Sequence, residues 1–266
     1  MKNRTILTLL YLLAILLLFA FSFLPSGFRT YSSALALFIP LAIGVSIFVK
    51  KNGTKIPMYE GKKDFLLPSL FFAPTLLIVI CISMVTTIIL AMFGLENPPL
   101  DDIPLLDAIL AYAVLPAILE EGLYRILPSL ALADEDMQSI CLYSSLIFGF
   151  AHMSLFSIPY AFFSGLAFFC INRLGRSPLP SILLHMINNL LSIWFTYAAK
   201  GDLVFSYTVK VLAVLSVASL LLMLLFYKSR LIRLAERFRD RKATFRISLD
   251  LIAYLVLTSV LTVIFT

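Results

Sequence analysis

The chain has 266 residues, of which 61% are hydrophobic and 14% are charged, and its mean hydropathy is +1.00. Soluble domains are nearer half apolar and a quarter charged, so this composition excludes a soluble globular domain and indicates a multi-pass membrane protein. The net charge of +6 comes mostly from basic residues between apolar runs, a pattern typical of loops beside anionic lipid, and nucleic acid is not an expected partner. We predict an all-α transmembrane bundle that forms one integral membrane domain over residues 1–266.

Apolar runs of about 20 residues are long enough to cross a bilayer as helices. The sequence contains eight to nine such runs, and the predicted spans cover residues 5–24, 30–49, 65–94, 104–131, 137–152, 155–173, 178–199, 203–227 and 247–266. The first run is longer than the apolar core of a signal peptide, so we expect it to be retained as a span. The fifth and sixth runs are short, and we expect tilted or partly re-entrant helices there.

Basic residues gather in three loops, which follow the second, sixth and eighth predicted spans. They are Lys50, Lys51, Lys55, Lys62, Lys63, Arg173, Arg176, Lys228, Arg230, Arg233, Arg237, Arg239, Arg241, Lys242 and Arg246. Alternating spans place all three loops on the side of the N-terminus, and the positive-inside rule assigns that side to the cytoplasm. We therefore predict a cell-membrane protein with a cytoplasmic N-terminus and with membrane lipid as a partner. The basic stretch 228–246 is predicted as a helix that lies on the inner leaflet or connects two spans in solvent.

A cluster of ionisable residues lies inside the fourth predicted span. Placing charged side chains in the bilayer is costly in free energy, so such residues usually have a specific structural or functional role. Residues four apart share a helix face, so Glu121 and Arg125 are expected to pair. Glu120 is rotated by about 100° from Glu121 and can point into the bundle as a free carboxylate. One carboxylate would then be neutralised while its neighbour stays available as a base. An ion pair that only holds helices together is the alternative that this motif leaves open.

Both histidines of the chain fall in apolar segments, and each has a suitable partner at helical spacing. Phe148 precedes His152 by four residues and can brace its ring, and Asn189 follows His185 by four residues on the same face. Peptide hydrolysis needs a base that activates water, a group that holds the water, and donors for the oxyanion. Glu120 and His152 can fill the first two roles, and His185 and Asn189 can supply the donors.

The predicted topology sets a condition on how these groups meet. Alternating spans place Glu120 near the middle of the membrane and His185 nearer the cytoplasmic side. They place His152 toward the outer end of the fifth span. The three side chains can share one site only if the fifth span is short, tilted or re-entrant.

Three motifs follow one another along the chain: Glu120-Glu121-x-x-x-Arg125, Phe148-x-x-x-His152 and His185-x-x-x-Asn189. In this order, and with their flanking residues, they resemble the CAAX-protease and bacteriocin-processing family, which comprises the type II CAAX prenyl endopeptidases and their bacterial relatives. The likeness covers about residues 100–200, the predicted catalytic core. Two residues differ from the usual family pattern: Tyr124 replaces a frequent phenylalanine, and Ile126 replaces a common glycine. These differences affect only the expected packing of the fourth span.

The resemblance implies an intramembrane glutamic endopeptidase that requires no cofactor. In that family the first glutamate and the first histidine activate water, while the second histidine and the asparagine stabilise the oxyanion. Carried to this sequence, the catalytic roles fall on Glu120, His152, His185 and Asn189, with Glu121, Arg125 and Phe148 in support. The implied substrate is a peptide bond near the membrane, in a prenylated protein or in a leader-type peptide such as a bacteriocin precursor.

Two alternatives stay open at this point. Glu120, His152 and His185 could instead be the three ligands of a catalytic zinc ion in an intramembrane protease. The chain could also be a non-catalytic immunity or binding protein of the membrane, in which the polar cluster serves stability. A transporter is disfavoured, because the sequence has no evident internal repeat.

Overall fold

The computed structural model describes residues 3–96, 103–197, 202–239 and 248–265. The helices of these residues are α1 (Asn3–Ser22), α2 (Ser26–Asn52), α3 (Leu66–Ser69), α4 (Phe72–Met92), α5 (Leu105–Ala108), α6 (Leu115–Glu121), α7 (Leu127–Ala131), α8 (Met137–Ala151), α9 (Ile158–Gly175), α10 (Leu179–Tyr197), α11 (Asp202–Phe226), α12 (Lys228–Arg239) and α13 (Leu249–Phe265). A 3₁₀ turn (Pro57–Tyr59) precedes α3, and no strand occurs in the described ranges. The predicted all-α bundle is confirmed.

Helix lengths divide the bundle into two groups. Within the described residues, four helical stretches are long and apolar enough to cross a membrane: Asn3–Ser22, Thr30–Asn52, Leu66–Met92 and Leu203–Phe226. Three further apolar helices are shorter: Met137–Ala151, Leu179–Phe195 and Leu249–Val263. The basic segment predicted over 228–246 begins as α12, and its residues 240–246 lie outside the described part of the chain.

The predicted span 65–94 is interrupted by a turn between α3 and α4 at Leu70 and Phe71. Pro74 causes the interruption. It has no N–H to donate to the carbonyl of Leu70, four residues earlier, so the helical hydrogen-bond ladder is broken there.

The predicted span 104–131 is one continuous rod, which we call the composite helix: α5, α6 and α7 are joined by two π-helical segments, Ile109–Val114 and Gly122–Ile126. Each π segment ends close to a proline, Pro116 or Pro128, that cannot donate to the carbonyl four residues earlier. The backbone N–H of Leu127 instead bonds the carbonyl of Gly122, five residues back. Single π turns of this kind are frequent at functional sites.

One end of the bundle is held by polar contacts between chain segments, and we call it the basic end. Arg4 pairs with Glu135, Arg230 pairs with Asp64, and Lys51 Nζ donates to Asn3 Oδ1 at 2.5 Å. Asp136 caps α8 at this end by accepting a hydrogen bond from the Ser139 N–H at 2.9 Å. The basic loops predicted to share one side therefore do meet at one end of the molecule.

The helix α1 packs into the largest apolar core of the bundle. Leu7, Tyr11, Ala14 and Ile15 are fully buried there. The Tyr11 ring stacks on that of Tyr124 in the composite helix, with 5.4 Å between the ring centroids. Through this core, α1 and α2 support the helix that carries the acidic motif.

Two glycines allow α8 and α9 to approach closely. A Cβ atom at Gly165 would lie 3.0 Å from the Cα of Ser145, and one at Gly149 would lie 3.0 Å from the Cβ of Phe162. Contacts this short are tighter than nearly all real Cβ contacts, so a side chain at either position would press on the neighbouring helix. Because His152 follows the last turn of α8, this interface also fixes where that histidine lies.

Replacing Gly165 with leucine is expected to separate α8 from α9. Overpacking a tight interface costs about 1–3 kcal/mol, and here the obstacle is the backbone of Ser145 rather than a movable side chain. Thermal unfolding in detergent should show a lower melting temperature for Gly165→Leu than for Ala91→Leu, in which the same side chain is added on an exposed face of α4. Equal melting temperatures would show that the interface is not tightly packed.

Candidate active site

The two neighbouring glutamates of the composite helix have different surroundings. The Glu121 side chain is fully buried, whereas that of Glu120 retains 18% exposure. Among the described residues, Glu120 Oε2 is a buried oxygen without a hydrogen-bond partner. A buried carboxylate oxygen requires a donor, so the donor for Glu120 has to come from a molecule that enters the site.

Glu121 has three partners from the chain. Ser181 Oγ donates to its Oε2 at 2.5 Å, and His185 Nδ1 lies 3.3 Å from its Oε1. Arg125 Nη2 lies 3.6 Å from the same Oε1, which gives the ion pair expected from the spacing of four residues. Glu121 is thus neutralised and held in place, in contrast to Glu120.

Arg125 lies between two aromatic rings and is itself fully buried. Its guanidinium carbon is 4.1 Å from the ring centroid of Phe148 and 5.7 Å from that of Phe168. A cation over a ring face is stabilised by the ring quadrupole, more strongly where water is excluded. The rings therefore compensate in part for the water that this arginine has lost.

The helix α10 presents a polar stripe at a spacing of four residues. Ser181 bonds Glu121, His185 reaches both glutamates, and Asn189 lines the same site. His185 Nε2 lies 3.7 Å from Glu120 Oε2, while its Nδ1 faces Glu121. Asn189 Oδ1 accepts a hydrogen bond from Asn188 Nδ2 at 3.3 Å, so the N–H donors of the Asn189 amide remain to meet a ligand.

His152 stands just past the end of α8, where the chain turns toward α9. Its Nδ1 lies 2.9 Å from the carbonyl oxygen of Phe148, which can only accept, so Nδ1 carries the proton. In the neutral ring, Nε2 then carries the lone pair. The predicted bracing by Phe148 is present, with ring centroids 4.9 Å apart at an interplanar angle of 87°.

These groups meet because α8 is short. It has 15 residues, or roughly 22 Å at about 1.5 Å per residue, so it ends at the depth of the acidic motif instead of crossing a full bilayer. The predicted topology required the fifth span to be short, tilted or re-entrant, and α8, which corresponds to that span, is short. Phe148 also contacts His185, with ring centroids 5.7 Å apart, and so links the two histidines.

A cavity of about 430 Å³ collects the candidate residues. Glu120, His152, His185 and Asn189 all line it, as does Phe148, whereas Glu121 and Arg125 do not. The remaining wall is contributed by α1, α2, the composite helix, α9 and α10, and includes Leu18, Ser33, Leu37, Ala111, Tyr112, Pro116, Tyr124, Tyr160, Ser164, Asn188, Ser192 and Ile193. The cavity thus combines the polar candidate residues with a lining that is both apolar and polar.

Comparison with known proteins identifies the family of this region. Residues 103–191 match the family model described as "Type II CAAX prenyl endopeptidase Rce1-like". Residues 103–191 are therefore similar to an Rce1-like domain. No curated protein and no solved structure matches the chain.

The Rce1-like domain contains every residue of the three motifs, and it ends two residues after Asn189. The match supports a membrane-embedded protease of the CAAX type, which acts on a peptide or protein substrate.

Sequence reasoning missed two supporting residues of the Rce1-like domain. Ser181 positions Glu121, and its signal was available because it precedes His185 by four residues on the face that also carries Asn189. Phe168 lies against both Arg125 and His185, with 5.1 Å between its ring centroid and that of His185. Its place could not be found from spacing, since it comes from a different helix.

The zinc alternative requires three ligands at one point. Over the part of the chain that the structure describes, no group of three His, Cys, Asp or Glu side chains is placed so that it could hold a metal ion. His152 Nε2 and His185 Nε2 are the nitrogens that face the cavity in the Rce1-like domain, because Nδ1 of each ring is directed at a carbonyl or carboxylate oxygen.

Proposed function

We propose that the protein is an intramembrane endopeptidase that hydrolyses a peptide bond with water activated by Glu120 and His152. The observation that carries the proposal is the contrast between the two glutamates: Glu121 is saturated by Ser181, His185 and Arg125, while Glu120 faces the cavity with an unpartnered oxygen. A carboxylate in this position can accept a proton from a water molecule held in the cavity.

The first step is addition of water to the scissile carbonyl. Glu120 takes one proton as the water oxygen bonds the carbonyl carbon, and His152 Nε2 accepts a hydrogen bond from the second water proton. The hydrogen bond from His152 Nδ1 to the Phe148 carbonyl fixes the tautomer that this role requires. When the C–N bond breaks, Glu120 returns its proton to the leaving amine.

The carbonyl oxygen becomes negatively charged in that step and needs donors. Asn189 supplies an amide N–H, and His185, which lies beside Glu121 through its Nδ1, is the second group placed to meet the oxyanion.

The substrate is proposed to be a short peptide segment at the membrane, lipidated or leader-like, such as a bacteriocin precursor. The cavity volume of about 430 Å³ suits a few residues of extended chain rather than a folded domain. Leu18, Leu37 and Ile193 in its wall favour apolar side chains beside the scissile bond.

The test is cleavage of a peptide library, with and without lipid groups, by the purified protein in liposomes, read by mass spectrometry. We expect the wild type to cleave some members equally well with and without a strong chelator, and we expect His152→Ala to lose that cleavage. Lys210→Ala, changed on an exposed face of α11, is the matched control and should cleave as the wild type does.

The two alternatives give different results in the same experiment. Loss of wild-type cleavage with chelator and its return with zinc would assign Glu120, His152 and His185 as metal ligands. Absence of cleavage by wild type and variant alike, with both folded, would favour the non-catalytic immunity or binding protein.

A further inference from the structure

We infer that the hydroxyl group of Tyr124 and the carboxylate of Glu120 together hold one water molecule in the cavity, and that this water attacks the peptide bond. The inference rests on the proposed hydrolysis and adds to it a residue that the three motifs do not name. At this position the sequence comparison predicts an effect on packing alone. The surroundings of the hydroxyl group indicate a role in the chemistry.

The hydroxyl group of Tyr124 is a buried polar group without a partner. The residue is only 1% exposed, and its Oη forms no hydrogen bond with any described residue. Other buried tyrosines of this core differ, because Tyr11 Oη donates to the carbonyl of Leu123 and Tyr254 Oη donates to that of Ile147. A buried hydroxyl group is costly in free energy unless it is hydrogen-bonded, so that of Tyr124 requires a partner that enters the site.

Tyr124 lies on the same side of the composite helix as Glu120 and lines the same cavity. Residues four apart are neighbours on a helix, and helical side chains lean toward the N-terminus, which directs the ring of Tyr124 back toward Glu120. The two side chains are close enough to interact electrostatically. Glu120 Oε2 likewise has no partner among the described residues. One small molecule between them would supply a donor to the carboxylate and an acceptor to the hydroxyl group.

Two aromatic rings hold the ring of Tyr124 in place. Tyr11 stacks on it, with 5.4 Å between the centroids and an interplanar angle of 19°, and the Phe148 centroid is also 5.4 Å away. Phe148 contacts His152 as well, at 4.9 Å between ring centroids. The same phenylalanine therefore positions Tyr124 and the histidine that holds the water in the proposed mechanism.

The geometry of the attacking water requires a donor of this kind. Water has two protons and two lone pairs, and in the proposed step Glu120 takes one proton while His152 Nε2 accepts a hydrogen bond from the other. One lone pair forms the bond to the carbonyl carbon, so the second lone pair is left for a donor. Tyr124 Oη can supply that hydrogen bond and keeps its own proton throughout. Tyr160, which also lines the cavity, already donates to Ser157 Oγ at 3.2 Å.

The test is Tyr124→Phe, which removes one oxygen atom and keeps the ring. We expect kcat for the best library peptide to fall by about 5–10-fold, as for the loss of one hydrogen bond, with KM unchanged and the melting temperature not lowered. Tyr143→Phe is the matched control, because it removes a buried hydroxyl group that bonds Thr8 Oγ1 at 2.9 Å, away from the cavity. The control should show the opposite result, a lower melting temperature with the wild-type kcat.

A wild-type kcat in Tyr124→Phe would overturn the inference and keep the proposed activity. A lower kcat together with a lower melting temperature would also overturn it, because the hydroxyl group would then serve the fold.

A crystal structure that shows ordered water gives a readout that does not depend on cleavage. We expect a water within hydrogen-bond distance of both Tyr124 Oη and the Glu120 carboxylate in the wild type, and we expect it to be lost in Tyr124→Phe. This water in a protein that cleaves no peptide would reject the proposed activity and keep the water site. Cleavage by a wild type in which no water contacts Tyr124 Oη would do the reverse.

Discussion

Replacing Glu120 with glutamine is expected to abolish peptide cleavage while leaving the protein folded. Glutamine keeps the size of the side chain but cannot accept the proton of water, and a general base typically contributes about 10²–10⁴-fold to the rate. The side chain is partly exposed in the cavity and has no hydrogen-bond partner at Oε2 among the described residues, so the packing around it should not change. Cleavage rates of the purified variant against the best library peptide give the measurement.

The control for this change is Glu135→Gln, which removes the same charge at the basic end, where Glu135 pairs with Arg4. It should cleave peptide at the wild-type rate. Residual activity of Glu120→Gln near that of the control would rule out Glu120 as the base and would direct attention to His152 alone. Equal melting temperatures of the two variants would show that any difference arises in the chemistry.

Replacing Arg125 with methionine is expected to destabilise the whole bundle. The change leaves Glu121 buried without its cation, and breaking a buried ion pair from one side costs about 3–5 kcal/mol. It also removes the guanidinium from between the rings of Phe148 and Phe168. Thermal unfolding in detergent should show a large fall in melting temperature, together with a lower yield of folded protein.

Two comparisons separate the ion pair from a general effect of losing charge. Glu135→Gln breaks a partly exposed pair, in which Arg4 and Glu135 retain 16% and 30% side-chain exposure, and should cost only about 0–1 kcal/mol. The double variant Glu121→Gln with Arg125→Met removes both charges and should recover stability without recovering cleavage. If Arg125→Met melts at the wild-type temperature, the pair does not support the fold.

Much of this site could be predicted because its partners are local in sequence. The contacts of Glu121 with Arg125 and of His152 with Phe148 are both separated by four residues, which is the repeat of a helix face. Composition and the length of the apolar runs were likewise sufficient for the all-α fold. The catalytic roles themselves stay predictions until cleavage is measured.

The contacts that could not be predicted join distant segments. The spacing of α10 places Ser181 on the face of His185, but Ser181 bonds Glu121 across 60 residues, and no local spacing indicates that pairing. The interruption near Leu70 and the two π segments were overlooked for a different reason. The prolines that cause them are visible in the sequence. The spans, however, were predicted from the length of the apolar runs, and that criterion ignores the backbone N–H that each proline lacks.

The ring of Phe148 touches more of the site than any motif would suggest. The guanidinium of Arg125 lies over the ring, both histidine rings meet it nearly at right angles, and the backbone carbonyl oxygen of Phe148 accepts a hydrogen bond from His152 Nδ1–H. A substitution of the ring would disturb charge compensation and ring orientation at the same time, whereas the backbone carbonyl would remain. Phe148, Arg125 and both histidines therefore depend on one another for their positions, although they come from three separate stretches of the chain.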